Sequence, residues 1–113
     1  MKTKTYRIES DVKTEIKRQL KELGAWYTMP FMSGYGKQGI PDFLVCYRGS
    51  FIGIEAKLDD YEGSPAQEAQ MTAIREAGGL TAVVNQHNVN NFTSFIVTNA
   101  GPDDYDEIEN TQC

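Results

Sequence analysis

Soft metal ligands are nearly missing from this sequence. It has one histidine, His87, and two cysteines, Cys46 and Cys113. That leaves no ligand set for a Cys/His zinc site and too few thiols for a disulfide framework. Cys46 reads as a small buried thiol in an apolar run, and Cys113 as a tail thiol. Long hydrophobic runs are missing too. None approaches the roughly 20 residues of a membrane span, and the first residues, MKTKTYRIESDVK, lack the apolar centre of a signal peptide. A soluble, cytoplasmic protein is the expectation, the cytoplasm being a host cell's if the source is viral. A basic excess is also absent. The net charge is −5, which argues mildly against generic nucleic-acid binding.

The charge is unevenly spread. Residues 1–24 hold seven basic and four acidic side chains, whereas residues 103–113 hold five acidic ones and no basic one. The C-terminal segment therefore accounts for the whole net charge and reads as a solvated or loosely docked tail. The 113 residues suit one domain, taken here as 1–101 with an acidic tail at 102–113.

Hydrophobic spacing predicts the elements. Val12, Ile16, Leu20 and Leu23 recur at helical intervals over 10–23, with Ser10 or Asp11 as cap and Gly24 as stop. Residues 25–32 suit a first strand, and Trp26, Tyr27 and Phe31 read as strand-core residues rather than base-stacking ones. Residues 33–39 form a glycine-rich loop. Strands over 43–47 and 51–56 are joined at Gly49-Ser50. Ser64-Pro65 opens a helix to about Ala77, and Gln67 completes a capping box. Residues 80–85 suit a strand. The stretch 88–97 fits a helix capped by Asn88 or a strand, and spacing favours the helix. The order defines an α/β sandwich around a small mixed sheet.

Three charged residues stand in or beside the apolar hairpin: Asp42, Glu55 and Lys57. With Gly49-Ser50 as a two-residue loop, Arg48 pairs with Phe51, Asp42 lies opposite Lys57, and Leu44 lies opposite Glu55. All three charges then project from one side, with the carboxylates close enough to share a divalent ion. The plainer reading is a salt-bridged sheet end. Against it stand the apolar surroundings and the mutual repulsion of two close carboxylates.

Pro41-Asp42, twelve intervening residues and then Glu55-Ala56-Lys57 resemble the PD-(D/E)xK nuclease signature. The wider set is Glu15, Gly39-Ile40-Pro41-Asp42, Glu55-Ala56-Lys57, Ser64-Pro65-Ala66-Gln67 and Gly78-Gly79. It resembles the VRR-NUC (virus-type replication-repair nuclease) family, especially its short stand-alone members from bacterial viruses, over about residues 10–97.

The resemblance implies a restriction-endonuclease-like core and a divalent-metal-dependent DNA endonuclease. Asp42, Glu55 and the backbone carbonyl of Ala56 would hold Mg²⁺ or Mn²⁺, for which hard oxygens are suited. Lys57 would act beside the attacking water. Gln67 would orient Lys57, the water or a phosphate, unless it serves only the capping box. Glu15 would hold a metal-bound water from the first helix, or else is a solvated edge residue. Lys37, in the loop before the site, is placed to touch phosphate, or is an ordinary loop lysine. His87 reads as a loop histidine. No helix-turn-helix, zinc finger or basic arm is apparent, so branched DNA such as junctions or flaps is the expected substrate, and the family resemblance implies a homodimer. The alternative is a non-catalytic nucleic-acid-binding or assembly module on the same fold. A third reading is a small interaction domain whose charges form a surface cluster.

Overall fold

A computed structural model describes residues 5–31, 36–59 and 63–101. The acidic tail at 102–113 and residues 33–35 of the glycine-rich loop lie outside these residues. The first helix, α1, spans Glu9–Leu23 and buries Val12, Ile16 and Leu20 at successive turns. It begins one residue earlier than the spacing predicts, because the Asp11 carboxylate reaches back to accept the amides of Arg7 at 2.7 Å and Ile8 at 3.0 Å. Those bonds satisfy donors outside the helix and hold the Asp11 carboxyl below its usual range. Gly24 ends the helix in a left-handed conformation, φ 81°.

Strand β1 is short, Trp26–Thr28, and pairs with β2, Phe43–Tyr47. Strand β3, Ser50–Ala56, returns antiparallel to β2. Helix α2, Pro65–Glu76, then crosses over to β4, Leu80–Val84, which runs parallel to β3. Among the described residues the sheet has four strands in the order β1-β2-β3-β4. The last element, α3, spans Phe92–Asn99. The helical option for 88–97 therefore holds. Asn88 is not its cap, since its side chain bonds the Asn85 amide at 2.8 Å and the Val83 carbonyl at 3.0 Å.

The sheet alternation divides the molecule into layers. Phe43, Val45, Ile52, Ile54 and Ala56 point to one face, where they pack with Val12, Ile16 and Leu20 of α1 and Phe92 and Ile96 of α3. Gly53 points to the other face. A Cβ there would lie 2.9 Å from Ile74 of α2 and 3.0 Å from Pro41, so the glycine lets helix and loop approach the strand.

Three expectations are corrected. Arg48 and Gly49 both have positive φ, 51° and 83°, and form the hairpin turn, while Ser50 pairs with Tyr47. Two successive positive-φ residues match the right-handed twist of the strands, and the register moves by two residues relative to a Gly49-Ser50 loop. Trp26 and Phe31 are 62% and 93% exposed. β1 is an edge strand, and only Tyr27 turns inward, its ring 5.9 Å from that of Phe43. The thiol expectation also fails for Cys46, which is disulfide-bonded.

Candidate active site

The observed register pairs Phe43 with Ile54. Carried one residue further, it sets Asp42 across from Glu55, not across from Lys57. The site thus forms where β2 begins and β3 ends, on the face opposite the main core. Ala56 enters through its amide, which donates to Oδ2 of Asp42 at 2.8 Å. The Lys57 amide donates to the Val84 carbonyl at 2.9 Å, extending the β3–β4 pairing past the last strand residue. That bond holds Lys57 on the same side as Glu55.

Glu55 is 1% exposed, and its Oε2 is buried without a hydrogen-bond partner. Burial, followed by the hydrogen-bonded and negatively charged Asp42, pushes its carboxyl up to about 8. Glu9 adds to the rise and Lys57 opposes it. A buried acceptor lacking a donor is costly in a fold of this size. A divalent ion between the two carboxylates would satisfy that oxygen and cancel their repulsion. The donor set is all oxygen, as Mg²⁺ and Mn²⁺ prefer. Among the described residues no group of three acidic, histidine or cysteine side chains forms a ready cage. An ion here would complete its shell from backbone oxygen and water, as Mg²⁺ commonly does.

The acids open onto a cavity of about 300 Å³ walled by Lys13, by the 38–42 loop and by Ser64, Ala66 and Gln67 of the α2 start. Gly39 makes this wall possible. It has φ 79°, and a Cβ on it would lie 2.4 Å from the backbone carbon and oxygen of Ala66. The loop preceding Asp42 is therefore seated on the first turn of α2. Gln67 completes the expected capping box and also lines the cavity. Its Oε1 accepts the Ser64 amide at 3.1 Å, its own amide donates to Ser64 Oγ at 3.1 Å, and its side chain still lines the cavity. Lys37 is exposed and does not line the cavity, whereas its neighbour Gln38 does.

The acid that α1 presents to this cluster is Glu9, not Glu15. Oε2 of Glu9 lies 4.0 Å from Lys57 Nζ, and Oε1 lies 3.7 Å from Lys13 Nζ. Lys13 in turn lies 3.6 Å from Oδ1 of Asp42. Glu15 is buried two helical turns on. Arg18 grips its carboxylate with a shortest contact of 2.6 Å, and Gln19 donates to it at 2.8 Å. Gln19 also reaches the Val89 carbonyl at 2.8 Å, so this network joins α1 to the approach to α3. Glu9 and Lys13 escape a reading by motif because Glu9 precedes the apolar stripe, Lys13 lies beside it on another face, and neither belongs to the nuclease signature. The available signal was their i,i+4 spacing at the helix start.

No protein-family model matches the sequence, and no curated protein is detectably similar to it. Solved structures are similar in fold. One, described as a "VRR_NUC domain", superposes with a TM-score of 0.63 at 24% identity, covering 76% of this chain and 94% of its own. Another, a "VRR_NUC domain protein", gives a TM-score of 0.63 at 19% identity, covering 82% of this chain and 88% of its own. The architecture is thus that of VRR-NUC domains, with the acidic pair at one end of its sheet. Among the described residues no helix is long and apolar enough to cross a membrane.

Proposed function

We propose that this protein is a divalent-metal-dependent DNA endonuclease that hydrolyses phosphodiester bonds in branched DNA. The observation that carries the reading is the buried Glu55 carboxylate, with one oxygen unpartnered and Asp42 beside it. Asp42 and Glu55 would hold Mg²⁺ or Mn²⁺, with the Ala56 carbonyl as a further oxygen. When bound, the ion supplies positive charge for the scissile phosphate and acidifies water.

The chain's own groups do the rest. Lys57, beside Glu9, offers a cation to charge developing on the phosphate or assists proton removal from the attacking water. Glu9 orients Lys57 and, in place of Glu15, is the acid of α1 that would hold a metal-bound water. Gln67 has its Oε1 engaged with Ser64, which leaves its Nε2 hydrogens for a phosphate oxygen or water at the cavity wall. Lys37, at the exposed loop, would meet the DNA backbone outside the cavity.

A near-neutral body supports recognition of DNA shape over dense backbone neutralisation. The exposed Trp26 and Phe31 beside edge strand β1 support a second copy of the chain packing there, which would present two sites to a symmetric junction.

The test is cleavage of a labelled four-way junction, a flap and a linear duplex, with EDTA, Mg²⁺ and Mn²⁺ in parallel and Asp42→Asn as control. Metal-dependent cutting by the unmodified protein, lost in the control, is the expected result. A folded protein that cuts nothing under any metal would sink the reading in favour of a non-catalytic module.

A further inference from the structure

We infer that Lys13 is a substrate-binding residue that Asp42 holds until a divalent ion arrives, when the lysine exchanges that carboxylate for a phosphodiester oxygen. This rests on the nuclease reading above and adds a group to it. Lys13 is the one cationic side chain lining the cavity among the described residues. Its Nζ stands 3.6 Å from Oδ1 of Asp42 and 3.7 Å from Oε1 of Glu9. Both are ion-pair distances, longer than the roughly 2.7–3.2 Å of an N–H···O hydrogen bond. The lysine is held loosely by charge alone.

The oxygen it faces matters. Oδ2 of Asp42 is tied to the Ala56 amide, so Oδ1 is the oxygen left for a metal. An ammonium and a divalent ion compete for that position, because each repels the other at such range. Metal loading therefore weakens the hold of Asp42 on Lys13. The flexible stem then carries the ammonium to whatever anion enters the same cavity, and in a nuclease that anion is a phosphodiester. Glu9–Lys13 alone would be an ordinary i,i+4 helix pair. The contact with Asp42 joins two separate elements, and helical spacing does not account for it.

The experiment uses the full chain as wild type, Lys13→Met and Lys13→Arg. Mn²⁺ affinity is measured by calorimetry. Binding of a fluorescent four-way junction is measured in Ca²⁺ at several salt concentrations, with the DNA checked intact afterwards. Lys13→Met should bind Mn²⁺ about two- to fivefold more tightly, since a competing cation is gone. It should bind DNA more weakly, with a salt slope shallower by about one. Lys13→Arg should restore the slope. Unchanged or weaker Mn²⁺ binding in Lys13→Met, or an unchanged salt slope, overturns the exchange. Wild type that takes up no Mn²⁺ overturns the metal-nuclease reading itself. Wild type that binds Mn²⁺ while Lys13→Met behaves identically overturns only the role of Lys13.

Discussion

Oδ2 of Asp42 accepts the Ala56 amide at 2.8 Å, tying the start of β2 to the end of β3. An asparagine can accept the same bond through its side-chain oxygen. Asp42→Asn should therefore keep the fold while removing a metal-binding charge. Glu55→Gln keeps the shape of its side chain in the same way. Each is expected to lower metal-dependent cleavage by orders of magnitude, with an unchanged circular-dichroism spectrum. Cleavage near the wild-type rate in either variant would refute the metal-ligand assignment.

The raised carboxyl of Glu55 fixes a pH dependence. Its folded value, about 8, lies above the ordinary glutamate value of 4.5. Between these values the folded state binds the extra proton, so this group's contribution to stability falls as pH rises from 4.5 through 8. Mn²⁺ requires the ionised form, so its affinity should rise over the same window, with proton release on binding. Asp42→Asn removes the neighbour's charge and should make the metal-free protein more stable at pH 8 by ~1 kcal/mol. Thermal melts in EDTA at pH 5 and pH 8 test this, and a metal-free wild type more stable at pH 8 because of Glu55 would contradict it.

Glu9 and Glu15 should separate cleanly. Glu9 is half-exposed beside Lys57 and Lys13, so Glu9→Gln should lower cleavage or metal affinity by about 10–100-fold and leave stability nearly unchanged. Glu15 is buried in the Arg18–Gln19 network, so Glu15→Gln should cost ~1–3 kcal/mol of stability with a smaller effect on rate. Denaturant melts and rates on the same two proteins decide it, and reversed effects would return the helix acid to Glu15.

Gly39→Ala should damage both stability and activity. The added Cβ would meet the Ala66 backbone at 2.4 Å from a residue at φ 79°. Relief requires moving the first turn of α2, and with it Gln67. A loss of ~1–3 kcal/mol and a marked fall in cleavage are expected. Alanine tolerated here without either effect would show that the loop is not seated on α2.

Much of the fold follows from local rules in the sequence. The helical stripe of Val12, Ile16 and Leu20, the Ser64-Pro65 start with Gln67 and the β-branched β4 are set by spacing, capping and branching, which act within a few residues. The clustering of Asp42, Glu55 and Lys57 on one side also follows, because alternation along a strand is unaffected by a register shift of two. Long-range packing decided the rest. Whether Arg48-Gly49 or Gly49-Ser50 makes the turn depends on how the paired strands twist, and it determines which residue Asp42 faces. Trp26 is exposed because β1 lies at the sheet edge, a position its apolar neighbours do not reveal. Glu15 has an active-site residue's spelling yet anchors α1 to the approach to α3, while Glu9 and Lys13 reach the acidic pair only because the helix start overhangs the end of the sheet. Spacing is a property of the chain, but which charge meets which is set by the angle at which two elements pack.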